Sequence, residues 1–163
     1  MKQSNRSVNA SSSATNGSKS PAQQSYPHVA LKQVKGVGML IALTFLLTLE
    51  DAYRFRKSRD VGCYLGLQLG QSEPQMHSSK KVDPYRRTLL VQGAHDILGP
   101  FGTDSDLRRW GLKLAERGGK SEKKRAIIAT ARKLAVLLHR LWVSGEVYEP
   151  LRHSNQKAMP AAA

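Results

Sequence analysis

Apolar residues recur every three or four positions along most of the chain from residue 29 onward. The last such segment carries one clear stripe, with Leu134, Leu138 and Leu141 on one face. No segment alternates apolar and polar residues over the length of a strand. The pattern therefore predicts an all-α protein, a small helical bundle with a long C-terminal helix.

Turn formers and capping residues divide this pattern into elements. The predicted helices cover residues 29–34, 37–49, 58–64, 84–98, 104–117 and 121–143. Residues 66–82 lack a helical period and are predicted to form a loop or an irregular hairpin. Asp104 and Asp106 are both interpreted as capping residues, because they stand at a helix start. The predicted N-caps are Ser58, Asp83, Thr103 or Asp104, and Ser121.

Composition separates three regions. Residues 1–28 are rich in Ser and Asn and nearly free of large apolar side chains, which predicts a disordered tail without a signal peptide. Residues 29–152 are predicted to form one domain, and residues 153–163 a frayed C-terminal tail. The longest apolar run is about twelve residues, whereas a membrane span needs about 20, so no membrane span is predicted and a membrane is not the expected partner.

The chain has a formal net charge of +14 and a sequence pI of about 10.3. Such an excess favours a polyanionic partner, first of all nucleic acid, with an anionic membrane surface or a ribosome-like assembly as alternatives. Cys63 is the one cysteine of the sequence, which excludes an intrachain disulfide and fits a reducing cytoplasm. With one cysteine and scattered histidines, no metal site is predicted.

One short motif, Val34-x-Gly36-Val37-Gly38-x-x-x-Ala42, is typical of a helix-hairpin-helix hairpin. The backbone N–H groups that open the second helix of such a hairpin can bind a phosphate oxygen, and the helix dipole adds to the attraction. Glycine would let the phosphate approach, the valines would anchor the turn, and alanine would let the two helices come close.

The alternative interpretation is a glycine-rich turn between two core helices, without a ligand. In both interpretations residues 40–49 are expected to lie in the core. Basic residues near the hairpin, in the loop and at two helix starts favour the nucleic-acid interpretation, although charge runs also occur as plain solvated faces. The predicted DNA-phosphate contacts are Lys32, Lys35, Gly36, Gly38, Lys80, Lys81, Arg87, Lys123 and Lys124.

Three segments read LKQVKGVGMLIALTFLLTLED, RFRKSRDVGCYLGL and DPYRRTLLVQGAHDILGPFG. Together they resemble the C-terminal transposase domain of the insertion-sequence family IS110, which is grouped with IS116 and IS902. The resemblance covers residues 29–152. It adds a specific family to the general expectation of a nucleic-acid-binding protein.

The resemblance implies DNA transposition by a recombinase with a serine nucleophile. Full-length members combine an N-terminal RuvC-like domain, which holds acidic metal ligands, with a C-terminal domain whose serine attacks a DNA phosphodiester. The implied partners are DNA, a guide RNA of the element, and full-length copies or a homo-oligomer, in the bacterial cytoplasm near the nucleoid. Magnesium is expected only with the RuvC-like domain, so no cofactor is expected in this chain.

The sequence departs from the family pattern in the serine loop. Leu69 stands where the serine before a glycine is usual, and several loop residues are missing. Ser72 is the nearest hydroxyl and is the candidate nucleophile by position alone. Val82 replaces a usual glycine and Arg86 a usual leucine, and the RuvC-like carboxylates have no counterpart. We therefore expect a truncated copy that binds DNA and is not catalytic alone. The alternatives are a non-catalytic helix-hairpin-helix module and a decayed gene product.

Overall fold

The structure, a computed structural model, describes residues 27–67 and 84–154, and its regular elements there are all helical. The all-α prediction is confirmed for this part of the chain. A short 3-10 turn at Ala52–Arg54 precedes the third helix. The helices are α1 (Pro27–Leu31), α2 (Met39–Leu49), α3 (Ser58–Tyr64), α4 (Pro84–Leu98), α5 (Asp106–Ala115) and α6 (Lys120–Ser144).

The long helix α6 is the centre of the bundle, because α1, α3, α4 and α5 all pack against it. Its buried stripe contains Leu134, Leu138 and Leu141, as the sequence predicted. Burial of each leucine contributes about 1.5–3 kcal/mol to stability. The small residues Ala131 and Ala135 lie on the same face and let the neighbouring helices come close.

Helix α2 is only half buried, so the expectation that residues 40–49 all lie in the core is wrong. Phe45 and Leu49 face the core. Leu40, Leu43 and Leu47 are exposed, with Leu47 at 75%. The reason is that α2 packs against α1 and α4 on one side, and within the described residues no element covers its other side.

The cap of α5 differs from the predicted one. Ser105 precedes the helix, and its Oγ accepts a hydrogen bond from the N–H of Arg108 at 3.1 Å. Thr103 and Asp104 were the predicted caps. Asp104 instead forms an exposed ion pair with Arg109, and the hydrogen bond from that guanidinium lowers the pKa of the carboxyl. All three residues are able to cap a helix, so the sequence alone did not distinguish them.

A buried histidine connects distant parts of the chain. His139 of α6 is 2% exposed, and its Nε2 donates to the carbonyl of Ala52 at 2.7 Å. Its Nδ1 then accepts from the hydroxyl of Ser58 at 3.0 Å, and Phe55 meets the ring edge-on. Ser58 was predicted to cap α3, but it is the first residue of that helix, and Lys57 is the N-cap residue. The contact fixes the connection between α2 and α3 onto α6.

The segment after α6 folds back onto the bundle. The N–H of Tyr148 donates to Oε1 of Gln33 at 2.9 Å, and burial raises the pKa of the phenol. Asp106, predicted to be a cap, accepts from the N–H of His153 at 2.7 Å and from the hydroxyl of Ser154 at 2.5 Å. These last two residues therefore contact the bundle. The predicted domain boundaries, including a frayed tail from residue 153, stay predictions.

Candidate nucleic-acid interface

The connection between α1 and α2, residues 32–38, is a short turn anchored in the core; we name it the α1–α2 turn. Val34 and Val37 are 2% and 5% exposed, as the motif predicted. The N–H of Val37 donates to the carbonyl of Val34 at 3.0 Å, which closes the turn. Helix α1 ends at Leu31, earlier than predicted, so the turn includes Lys32. The hairpin is thus present as a turn between two helices, although its assignment as a helix-hairpin-helix stays a prediction.

Gly36 has a packing role inside this turn. Its φ is +89°, a conformation that residues with a Cβ rarely adopt. A Cβ at this position would lie 2.7 Å from Cγ1 of Ile97 and 3.1 Å from the carbonyl oxygen of Gly93 on α4. The two glycines thus let the turn cross α4 at close range. The predicted phosphate contact of Gly36 stays a prediction, since packing alone already requires glycine here.

Gly38 is different, because it stands at the open end of α2. It is the N-cap residue, and a Cβ there would meet nothing within 4 Å. Among the residues that the structure describes, no side chain caps this end, and the first turn of α2 holds no acidic residue. The first N–H groups of a helix have no partner within the helix, and they carry the positive end of its dipole. The geometry therefore suits an incoming anion.

Two lysines increase the positive potential at this end of α2. Lys32 and Lys35 both belong to the α1–α2 turn, and both are exposed to solvent. Their charge adds to the partial charge of the helix N-terminus, and their flexible side chains can follow a phosphate without fixing its sequence. The structure thus brings four of the predicted residues together: Lys32, Lys35, Gly36 and Gly38.

Three other predicted residues lie elsewhere. Arg87, Lys123 and Lys124 are exposed, but none of them belongs to the α1–α2 turn. Arg87 lies six residues before Gly93 on α4, which is about 9 Å along the helix axis. Lys123 lies eleven residues before Leu134, the residue of α6 that meets Gly93, or about 17 Å along that axis. The predicted set is therefore spread over three places. Ser72, Lys80 and Lys81 lie outside the described residues.

The start of α6, where Lys123 and Lys124 lie, resembles the start of α2. Its N-cap is also a glycine, Gly119, with open space around it. Ser121 was the predicted cap, but it lies inside the helix, because α6 already begins at Lys120. The difference is that Glu122 occupies the first turn of α6 and pairs with a neighbouring arginine at 2.9 Å. This carboxylate already supplies a negative charge to the helix N-terminus.

The turn after α4, residues 99–102, contains site features that the sequence did not assign. Phe101 is 98% exposed. The turn and the α1–α2 turn border one concavity of about 450 Å³, which Lys35 and His95 also line. Nη1 of Arg108 holds this wall through hydrogen bonds to the carbonyls of Ile97 and Gly99. The sequence signal that could have revealed this feature is an aromatic residue between turn formers, Gly-Pro-Phe-Gly at residues 99–102.

The described residues offer neither a metal site nor a membrane helix. Within residues 27–67 and 84–154, no three His, Cys, Asp or Glu side chains lie close enough to hold one metal ion. They therefore do not fit the magnesium that the family resemblance associates with a RuvC-like domain, and we derive no metal-dependent step. In the same ranges, no helix is both long and apolar enough to cross a membrane.

Fold and turn together define an all-α domain with an open helix N-terminus flanked by lysines. Residues 28–104 match the model of the Transposase IS116/IS110/IS902 family. This segment is thus similar to a transposase family, the one that the sequence resemblance predicted. No solved structure matches the chain.

Two curated bacterial proteins are similar to the chain over longer stretches. The "Transposase for insertion sequence element IS1111A" of Coxiella burnetii is 32% identical over 124 residues, which cover 72% of this chain and 33% of the relative. The "Probable family 20 transposase" of Pseudomonas aeruginosa is 33% identical over 98 residues, which cover 53% of this chain and 28% of the relative. The chain thus spans about a third of the length of the curated relatives that it matches.

Proposed function

We propose that this chain acts in DNA transposition as part of an IS110-type transposase, and that its α1–α2 turn binds the DNA phosphate backbone. The family match over residues 28–104 and the transposase names of the two relatives support the first part. One observation carries the second part. The N-terminus of α2 is open at Gly38, and the turn that leads into it carries the exposed Lys32 and Lys35.

The expected contacts are the backbone N–H groups that open α2 and the two lysines. Hydrogen bonds to a charged group contribute about 1.5–3 kcal/mol each, and the helix dipole about 0.3–1 kcal/mol more. Non-specific DNA binding at physiological salt has a Kd of roughly 10⁻⁴–10⁻⁶ M, which corresponds to about 5.5–8 kcal/mol. Association also costs about 4–15 kcal/mol in lost translational and rotational freedom, so one turn needs support from further phosphate contacts along the duplex.

Arg87 and the start of α6 are proposed to supply those further contacts. Their separation from the turn along α4 and α6 is no obstacle, because successive phosphates on one strand are about 3.4 Å apart along the duplex axis. A duplex lying across the bundle meets the dispersed basic residues one after another. Phosphate contacts fix position and do not read bases, so this surface gives affinity and not sequence choice.

The chemistry and the other partners are proposed from the family resemblance alone. A serine nucleophile, with Ser72 as the positional candidate, would act on a DNA phosphodiester. A guide RNA and further copies of the transposase are proposed as partners. Because the binding surface and the nucleophile are distinct residues, the substitution Ser72→Ala is expected to leave DNA affinity unchanged.

The experiment measures binding of the full chain to a labelled DNA duplex over a salt titration, with a matched pair of variants. Gly38→Asp places a carboxylate at the open N-terminus of α2, and Gly119→Asp places one at the N-cap of α6. Aspartate is favoured at both positions, since it caps helices and both glycines have open space, so both variants should fold. Gly36→Asp would be a poor test, because it disrupts the packing against α4.

We expect Gly38→Asp to weaken binding by roughly tenfold or more, which is about 1.4 kcal/mol, and Gly119→Asp to weaken it much less. An equal loss of affinity in both variants would show that the added negative charge matters and its position does not. No loss with Gly38→Asp would contradict the proposed site, and absence of DNA binding by the unmodified chain would contradict the proposed function.

A further inference from the structure

Phe101 is the most exposed large apolar side chain of the described residues, at 98%. It stands in the turn after α4 and lines the concavity, whose other lining residues include the apolar Val34, Ile97 and Leu107. A concavity of about 450 Å³ beside one exposed ring has the size of a small-molecule site, whereas a stable protein–protein contact covers about 800 Å² of each partner.

The turn that presents Phe101 is held firmly. The N–H of Gly99 donates to the carbonyl of His95 at 2.7 Å, and the N–H of Gly102 donates to the carbonyl of Gly99 at 3.1 Å. Nη1 of Arg108 donates to the carbonyl of Gly99 at 2.5 Å. A Cβ on Gly102 would collide with Arg108 and with the backbone, so only glycine fits. The exposed ring is therefore presented from a fixed position.

The concavity beside this turn suits a neutral, flat group. Lys35 lines it on the side of the α1–α2 turn, whereas Asp96 and Asp104 line it on the side of Phe101. Two carboxylates disfavour a phosphate on that side, even though Asp104 is paired with Arg109. A nucleobase carries no charge and offers N–H groups that carboxylates can accept.

We propose that Phe101 stacks on an unpaired base of the bound DNA while the α1–α2 turn holds the adjoining phosphate. The proposal rests on the proposed DNA binding. It adds that the chain prefers DNA with an unpaired base over a fully paired duplex. Every base has a face on which an aromatic ring can stack, so the contact selects unpaired bases without selecting their identity. Apolar wedges use the same principle where proteins unstack a duplex.

The test compares binding of the full chain to a fully paired duplex and to the same duplex with one extrahelical 2-aminopurine, whose fluorescence reports stacking. Four proteins are measured: the unmodified chain, Phe101→Ala, Phe101→Trp and the control Tyr53→Ala. Tyr53 is 78% exposed and does not line the concavity, so its removal controls for loss of an exposed aromatic ring.

The unmodified chain should prefer the duplex with the extrahelical base by about 5- to 100-fold, the range that stacking on one base supplies. Phe101→Ala should lose this preference and the fluorescence change, while Phe101→Trp and Tyr53→Ala should keep both. The salt dependence should stay the same in Phe101→Ala, because no charge changes.

An unchanged preference in Phe101→Ala, or an equal loss in Tyr53→Ala, would overturn the assignment of Phe101 and leave the phosphate site intact. Failure of the unmodified chain to bind either duplex would instead contradict the proposed function. Circular dichroism of Phe101→Ala should match that of the unmodified chain, since the ring makes almost no buried contact.

Discussion

Two helix starts in this molecule look alike in sequence and differ in structure. Helices α2 and α6 both follow an open glycine, and lysines lie near both. The first turn of α2 holds no acidic residue, and the α1–α2 turn in front of it borders a concavity. The first turn of α6 holds Glu122, which pairs with Arg125. Lysines lie near both helix starts, so under the proposed function it is the missing counter-charge and the neighbouring concavity that distinguish α2 from α6.

The largest effect is expected from adding a methyl group to Gly36. In Gly36→Ala the residue must keep a φ near +89°, and its Cβ would press on Ile97 and on the carbonyl of Gly93. We expect a loss of about 2–5 kcal/mol in the free energy of unfolding, measured by urea denaturation. Gly119→Ala, which has open space and no positive φ, should cost no more than about 1 kcal/mol. Similar stability of the two variants would refute the close crossing with α4.

The second effect concerns lysines at the two helix starts. Lys35→Ala should lower the slope of log K against log salt by about 1, because one phosphate contact is lost, and should weaken DNA binding several-fold. Lys124→Ala removes the same charge from the start of α6 and should change affinity less. A salt titration of both variants decides this. A greater loss in Lys124→Ala would move the main site to α6.

A smaller effect is expected from the carboxylate that distinguishes the two sites. Glu122→Gln removes the negative charge from the first turn of α6 and frees that helix start for an external anion. DNA affinity should rise by a factor of about two to five, while stability should fall by roughly 0.3–1 kcal/mol, because an exposed ion pair and a dipole contact are lost. An unchanged affinity would show that Glu122 does not distinguish α6 from α2.

The smallest effect is a response to acid at the start of α5, where Asp106 lies. Burial would raise the pKa of Asp106, but hydrogen bonds from the Ser154 hydroxyl and the His153 N–H outweigh it and hold the pKa below its ordinary value of 3.8. A lowered pKa means that the carboxylate stabilises the fold above the unfolded pKa and stops doing so as pH falls through the folded pKa. The protection factor of the His153 amide, which corrects for the acid dependence of intrinsic exchange, should therefore fall below about pH 4, before protection at the start of α6 changes. Exchange that stays slow in Asp106→Asn would contradict this role.

The helical architecture could be predicted because it follows from local spacing. Leu134, Leu138 and Leu141 form a stripe that only a helix brings to one face. The buried face of helix α2 was harder to predict, because α2 has apolar residues on every side and their spacing does not indicate which side is buried. The sequence therefore placed Leu40 and Leu47 in the core, whereas the neighbours of α2 cover only one side.

The candidate site was partly predictable for the same reason. The turn with Gly36 and Gly38 is a local motif, and the structure places both glycines between two helices. The packing of Gly36 against Gly93 joins positions far apart in sequence, which no local pattern reveals. The hydrogen bonds from Arg108 to the carbonyls of Ile97 and Gly99 likewise depend on how α4 packs against α5. The sequence grouped Arg87, Lys123 and Lys124 with the turn because of their charge, whereas the fold places them elsewhere.

The most direct test of the account is a backbone amide NMR titration of the chain with a short DNA duplex. If the α1–α2 turn holds a phosphate, the amides of Gly38, Met39 and Leu40 should show the largest shifts at low salt, and the shifts should shrink as salt is raised. Shifts centred on residues 119–123, with the amides of 38–40 unchanged, would contradict the central claim and assign binding to the start of α6.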